Sequence, residues 1–191
     1  PYFNATAVLR LSIKQATPCI LLQAGNNLRF SSISITTKSE LPVITLCSAT
    51  EESCASFVDP IPSNMRPPSS SLDTDLIAIK LPEVLAANST VYLTFNYAVE
   101  ASVLSGLIPS GPFVNSTGQP AVLMATRLEP VGARRLFPCY DAPKYRAIYT
   151  VDVTAPKEMT VLGNTAPMAG SPTDSEKEGE EGMAMTTFKP T

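Results

Sequence analysis

Glu129 stands two residues after Arg127, and Arg134, Arg135, Cys139 and Asp141 follow it within the run ATRLEPVGARRLFPCYDAP at 125–143. Taken by itself, Glu129 reads as a surface glutamate at a strand end. Arg134 and Arg135 could bind a carboxyl ligand, or they could pair with Asp141 or with backbone carbonyls at the turn. Cys139, between Pro138 and Tyr140, sits in an apolar context where a free cysteine behaves as a small hydrophobe. A nucleophilic cysteine needs a base, and the chain contains no histidine. Asp141, just before Ala142 and Pro143, reads as a turn residue whose side chain accepts a backbone N–H.

The other cysteines are Cys19, Cys47 and Cys54, and no pair has the C-x-x-C spacing of a zinc or redox site. Without histidine the chain is expected to hold no metal. Cys47 and Cys54 flank the polar stretch SATEES. They could close that loop as a disulfide in an oxidising compartment, or stand as two free thiols at adjacent strand ends. Asn4, Asn88 and Asn115 each open an N-x-S/T sequon and point toward glycosylation and secretion.

These residues need a scaffold, and the composition favours strands. With 191 residues and 44% hydrophobic content, the chain has material for one domain with a sizeable core. Eighteen prolines against nine glycines suit an all-β domain with punctuated turns, because proline breaks helix interiors. A net charge of −3 supplies no basic field for phosphates, which disfavours nucleic acid as a partner. No apolar run approaches the ~20 residues of a transmembrane helix. No signal-peptide pattern opens the chain, which therefore reads as cut from something longer.

Period-two alternation places Ala7, Leu9, Leu11 and Ile13 on one strand face, and Val91, Leu93, Phe95 and Tyr97 on another. Strands are expected at 7–13, 19–23, 28–36, 43–48, 76–81, 90–99, 121–128, 146–154, 160–163 and 183–188. Turns are expected at GNN (25–27), LPE (81–83) and APKE (155–158). The proline- and serine-rich 59–74 and the acidic 171–182 read as loops, the second a solvated hairpin tip or a disordered insertion. No helical stretch beyond one turn is expected.

The segment TRLEP at 126–130, then ARR at 133–135 and FPCYDAP at 137–143, resembles the TQFEP, AR and FPCFDEP elements of the gluzincin zinc aminopeptidases of the aminopeptidase N and puromycin-sensitive type. The early strands, the LPEVLAANSTVYLTFNYAVE segment and the strands after the FPC turn resemble the same N-terminal domain, so the likeness covers most of the chain. It implies a saddle-shaped, largely antiparallel multi-sheet domain, here 1–191 and truncated at both ends. The catalytic domain of the same parent chain would be its partner, with zinc held there and none here.

The resemblance further implies that Glu129 helps to fix the free α-amino group of a peptide substrate, together with a glutamate of a GAMEN-type motif in the next domain. Related enzymes usually carry glutamine where this chain has Arg127, at the border of the pocket for the first substrate side chain. An arginine there could favour acidic first residues, or could pair with Glu129 along a shared strand face and blunt it. GLIPSG at 106–111 lacks the aromatic and arginine of the family's GFYRS-like segment. The parent is thus expected to release N-terminal residues from peptides, this chain alone being inert. The alternative is a non-catalytic binding scaffold built on the same domain. An extracellular or cell-surface setting is expected, with the cytoplasm as the alternative.

Overall fold

Apolar alternation sets the strands of the computed structural model, which describes residues 2–36, 44–48, 58–60, 75–102, 104–174 and 182–191. The strands are β1 (Tyr2–Ser12), β2 (Thr17–Gln23), β3 (Leu28–Thr36), β4 (Ile44–Ser48), β5 (Val58–Pro60), β6 (Leu76–Leu85) and β7 (Thr90–Glu100). They continue as β8 (Gly106–Pro109), β9 (Phe113–Val114), β10 (Pro120–Ala121), β11 (Met124–Arg127), β12 (Asp152–Pro156), β13 (Thr173–Asp174) and β14 (Met183–Thr187). All their pairings are antiparallel. A single 3-10 turn, Ala133–Arg135, interrupts the strands. The all-β expectation is met.

Two compact units divide the chain, Pro1–Ala142 and Pro143–Thr191. In the first, one sheet runs β1-β7-β3-β4 and another β2-β6-β5. Central β7 buries Val91, Leu93, Phe95, Tyr97 and Val99 on one face, while its flank β1 half-buries Ala7, Leu9 and Leu11 and exposes Val8, Arg10 and Ser12. Ile33 and Ile35 of β3 join that face, and Ile20, Leu22, Ile77 and Ile79 of the smaller sheet complete one cluster. Each such side chain contributes about 1.5–3 kcal/mol on full burial. The Phe30 ring lies 5.5 Å from Phe95 and 6.0 Å from Tyr97, filling the end of the core nearest the candidate site. The second unit holds the sheet β12-β14-β13, with Thr186 and Phe188 buried.

Several element expectations are corrected. LPE at 81–83 does not turn: β6 runs on to Leu85, and the turn follows at 86–89, where Ser89 Oγ donates to the Ala86 carbonyl at 2.6 Å. The APKE turn begins later, because Ala155 and Pro156 still pair within β12. Val58–Pro60, partly assigned to a loop, is an edge strand on β6, a place where proline's missing N–H can face away from the ladder. Strand structure within 146–154 starts only at Asp152, and 160–163 forms none. Apolar content there is not tied to pairing: Ile148 and Leu162 are exposed. Within the acidic segment Thr173–Asp174 form β13, paired antiparallel with β14, and 175–181 lie outside the described residues. The expected strand at 121–128 breaks into β10 and β11, and this break matters for the site.

Candidate functional site

The block at 125–143 begins on a two-stranded ribbon, in which β11 pairs with β8 and Arg127 lies opposite Gly106. Glycine leaves Arg127 without a cross-strand side chain. The strand ends there, so Leu128 and Glu129 lie beyond it, followed by the cis peptide bond from Glu129 to Pro130. The shared strand face that would let Arg127 pair with Glu129 is therefore missing. Both side chains are exposed, and neither makes an ion pair or side-chain hydrogen bond with the described residues. With Leu128 and Pro130 they line an open depression of about 470 Å³.

Behind this exposed edge the chain is clamped to the core sheets. The Gly132 N–H donates to the Leu128 carbonyl at 2.7 Å, closing the turn into the helical residues Ala133–Arg135. Three successive carbonyls then find donors from sequence-distant positions. Gly25 N–H reaches Arg134 at 2.7 Å, Asn27 Nδ2 reaches Arg135 at 2.8 Å, and the Tyr97 hydroxyl reaches Leu136 at 3.1 Å. Asn27 Nδ2 also donates to the Glu100 carbonyl at 3.0 Å. A Cβ on Gly25 would stand 2.6 Å from Asn27 Oδ1 and 3.3 Å from the Arg134 carbonyl, so only glycine permits this approach. Burial raises the Tyr97 phenol pKa well above its ordinary value, with Cys139 adding to the shift.

The FPC residues continue the clamp. Phe137 packs on the core and Pro138 is fully buried. Cys139 and Gln23 exchange backbone hydrogen bonds of 2.9 and 3.0 Å. Arg134 is buried, and its Nε donates to Asp141 Oδ2 at 2.9 Å while an Nη2 N–H donates to the Asp141 carbonyl at 3.2 Å. The Asp141 carboxylate also accepts the Arg134 backbone N–H at 3.3 Å, and its own N–H donates to Gln23 Oε1 at 3.0 Å. The expected pairing with Asp141 thus holds for Arg134. For Arg135 it does not: that side chain has no ion-pair partner among the described residues. Cys139 is a free, buried thiol whose pKa is pushed from 9.0 up to about 12, first by burial and then by the Asp141 charge, with Arg134 opposing.

The remaining expected sites are scattered. Asn4 is exposed in β1, Asn88 occupies a turn at φ 61°, and Asn115 follows β9 on an exposed hairpin. Cys54 lies outside the described residues, as does the side chain of Cys47, so their pairing falls outside them too. Among the described residues no three His, Cys, Asp or Glu side chains gather. No helix of the described residues is long and apolar enough to cross a membrane. Sequence reasoning missed Gln23, Gly25, Asn27 and Tyr97 as supports of the site. GNN carried a turn signal and Tyr97 a core signal, and only its hydroxyl hinted at a partner.

A family model described as the peptidase M1 N-terminal domain matches residues 3–191. Aminopeptidase N of Plutella xylostella is 28% identical over 190 residues, which cover 99% of this chain and 18% of that protein. Aminopeptidase Q of Homo sapiens is 32% identical over 128 residues, 63% of this chain and 12% of the relative. Glutamyl aminopeptidase of Sus scrofa is 31% identical over 122 residues, 60% and 12% respectively. The chain therefore spans less than a fifth of the length of these relatives.

Proposed function

The chain belongs to the peptidase M1 N-terminal domain family, and from that premise we propose that it forms the non-catalytic edge of an aminopeptidase's substrate cleft, with Glu129 receiving the peptide's free α-amino group. The carrying observation is that Arg127 and Glu129 line one depression, both exposed and both without an ion-pair partner among the described residues. A carboxylate left unpaired keeps its full capacity for an ammonium, and orienting that ammonium fixes which peptide bond is presented for cleavage. Arg127 supplies a permanent positive charge at the neighbouring side-chain pocket and favours an acidic first residue. Similarity to a protein named glutamyl aminopeptidase supports that preference.

The peptide substrate and the catalytic domain of the same parent chain are the partners in this reading. The family's zinc belongs to residues outside this segment, whose own part is binding and orientation. Three sequons support an extracellular or cell-surface parent, in which Cys47 and Cys54 would be bridged.

Kinetics of the full-length parent test the assignment. Losing one charge-assisted contact costs about 1.5–3 kcal/mol, so Glu129→Ala should lower kcat/KM on free-amine peptides by roughly ten- to a hundredfold. Arg127→Gln should chiefly re-rank acidic against basic first residues. A Glu129→Ala enzyme within about twofold of wild type would instead favour a surface glutamate, with small electrostatic worth.

A further inference from the structure

The three sequons are not equivalent in the folded chain. At Asn115 the acceptor amide and the hydroxyl that defines the sequon are joined: Asn115 Oδ1 accepts from Thr117 Oγ1 at 2.7 Å and from the Thr117 N–H at 3.0 Å. The Gln119 N–H adds a third donor to the same oxygen at 2.9 Å. Two backbone bonds close the loop, Asn115 N–H to Gln119 at 2.9 Å and Gly118 N–H to Asn115 at 3.0 Å, with Gly118 at φ +80°. The flanking pairs Val114–Pro120 and Phe113–Ala121 hold it as a hairpin, and every residue from 111 to 120 is exposed.

Neither other sequon has this arrangement. In Asn4-Ala5-Thr6 the Thr6 hydroxyl donates to Asn96 Oδ1 at 2.8 Å, so it is committed to β7 and not to its own asparagine. Asn88 takes φ 61° and its N–H is bound to the Ile13 carbonyl, while Thr90 already pairs opposite Ser12. The Asn115 contacts also span only four residues, whereas those around Asn4 await a partner some ninety residues later. A hairpin closes within microseconds, so the Asn115 geometry is available on an emerging, unfolded chain.

We propose that Asn115 is the N-glycan acceptor of this chain, in preference to Asn4 and Asn88, using a lipid-pyrophosphate-linked oligosaccharide as donor; this rests on the extracellular reading above. In the transfer Nδ2 forms a bond to the anomeric carbon, the bond from that carbon to the pyrophosphate oxygen breaks, and the lipid pyrophosphate leaves with its electron pair. One amide proton passes to base. Three donors on Oδ1 favour this step, because charge moves onto that oxygen as Nδ2 loses its proton, while Nδ2 itself has no partner among the described residues.

The test uses the full-length parent made in secreting eukaryotic cells, once with its own N-terminus and once behind an added cleavable secretion leader. Enzymatic deglycosylation in heavy-oxygen water followed by peptide mass spectrometry reads occupancy at each asparagine. With the leader, label is expected at Asn115 and little at Asn4 or Asn88; equal labelling of all three, or a bare Asn115, overturns the proposal. Gly118→Val keeps the sequon but opposes the positive φ, and should reduce occupancy several-fold. Unchanged occupancy in that variant overturns the geometric argument. Label that depends on the added leader leaves the acceptor assignment standing and overturns the extracellular reading alone.

Discussion

Arg134 and Asp141 are both withdrawn from solvent, the side chains 4% and 12% exposed, and their pairing fixes the turn that carries the exposed edge. Removing one member breaks a largely buried ion pair, a loss of about 3–5 kcal/mol. Asp141→Asn should therefore lower the urea midpoint substantially, whereas neutral changes at exposed Lys144 should not. Cys139 adds a pH dependence with a definite sign. Its folded pKa lies above the ordinary 9.0, so the native state retains a proton that the unfolded chain releases between pH 9.0 and about 12. The stability it protects is whole below pH 9.0 and is lost as pH rises through that window. Denaturation midpoints should fall across this alkaline range, less steeply in Cys139→Ser. Some slope should survive in that variant, because the Tyr97 phenol is raised too.

At the scale of elements, the turn between β2 and β3 does more than reverse the chain. Gly25 and Asn27 receive the carbonyls of Arg134 and Arg135, so the hairpin end serves as the seat for the 133–136 turn. Asn27→Ala removes two donated bonds and leaves the Arg135 and Glu100 carbonyls without that donor. The bond to Arg135 is part-buried and that to Glu100 exposed, and a hydrogen bond contributes about 0.5–1.5 kcal/mol net, so a loss of that order per bond is expected on chemical denaturation. Amide exchange should accelerate locally at Leu136 and Phe137, whose N–H groups bond to Ala133 and depend on the same turn. Equal acceleration throughout β7 would mean that Asn27 supports the whole sheet instead.

At the scale of the molecule, the distribution of chemistry is uneven. A carboxylate and a guanidinium stand ready at one exposed edge, but no histidine occurs anywhere in the 191 residues. The isolated chain is expected neither to retain zinc after dialysis against a weak chelator nor to hydrolyse aminoacyl substrates. Equimolar zinc by elemental analysis, or turnover by the purified chain, would contradict this. The chain spans 18% of the relative it matches over nearly its whole length, so the proposed contribution to substrate binding is tested in the full-length parent.

Sequence by itself determined the all-β class, the inward faces of β1 and β7, and the family, because strand period and the TRLEP to FPCYDAP spacing are local properties of the chain. Burial of Cys139 was legible from its apolar neighbours, and the Arg134 partner from one nearby carboxylate. Tertiary structure alone decided which of two adjacent arginines would be buried, since that depends on the carbonyls of Arg134 and Arg135 meeting Gly25 and Asn27 more than a hundred positions away. It also decided that Glu129 leaves the strand after Arg127, which no alternation pattern records. Where β6 resumes pairing at Leu85 after a register irregularity over 81–84, and where 146–151 fails to become a strand, were likewise settled by ladder partners, because a ladder exists only where another chain segment supplies its hydrogen bonds.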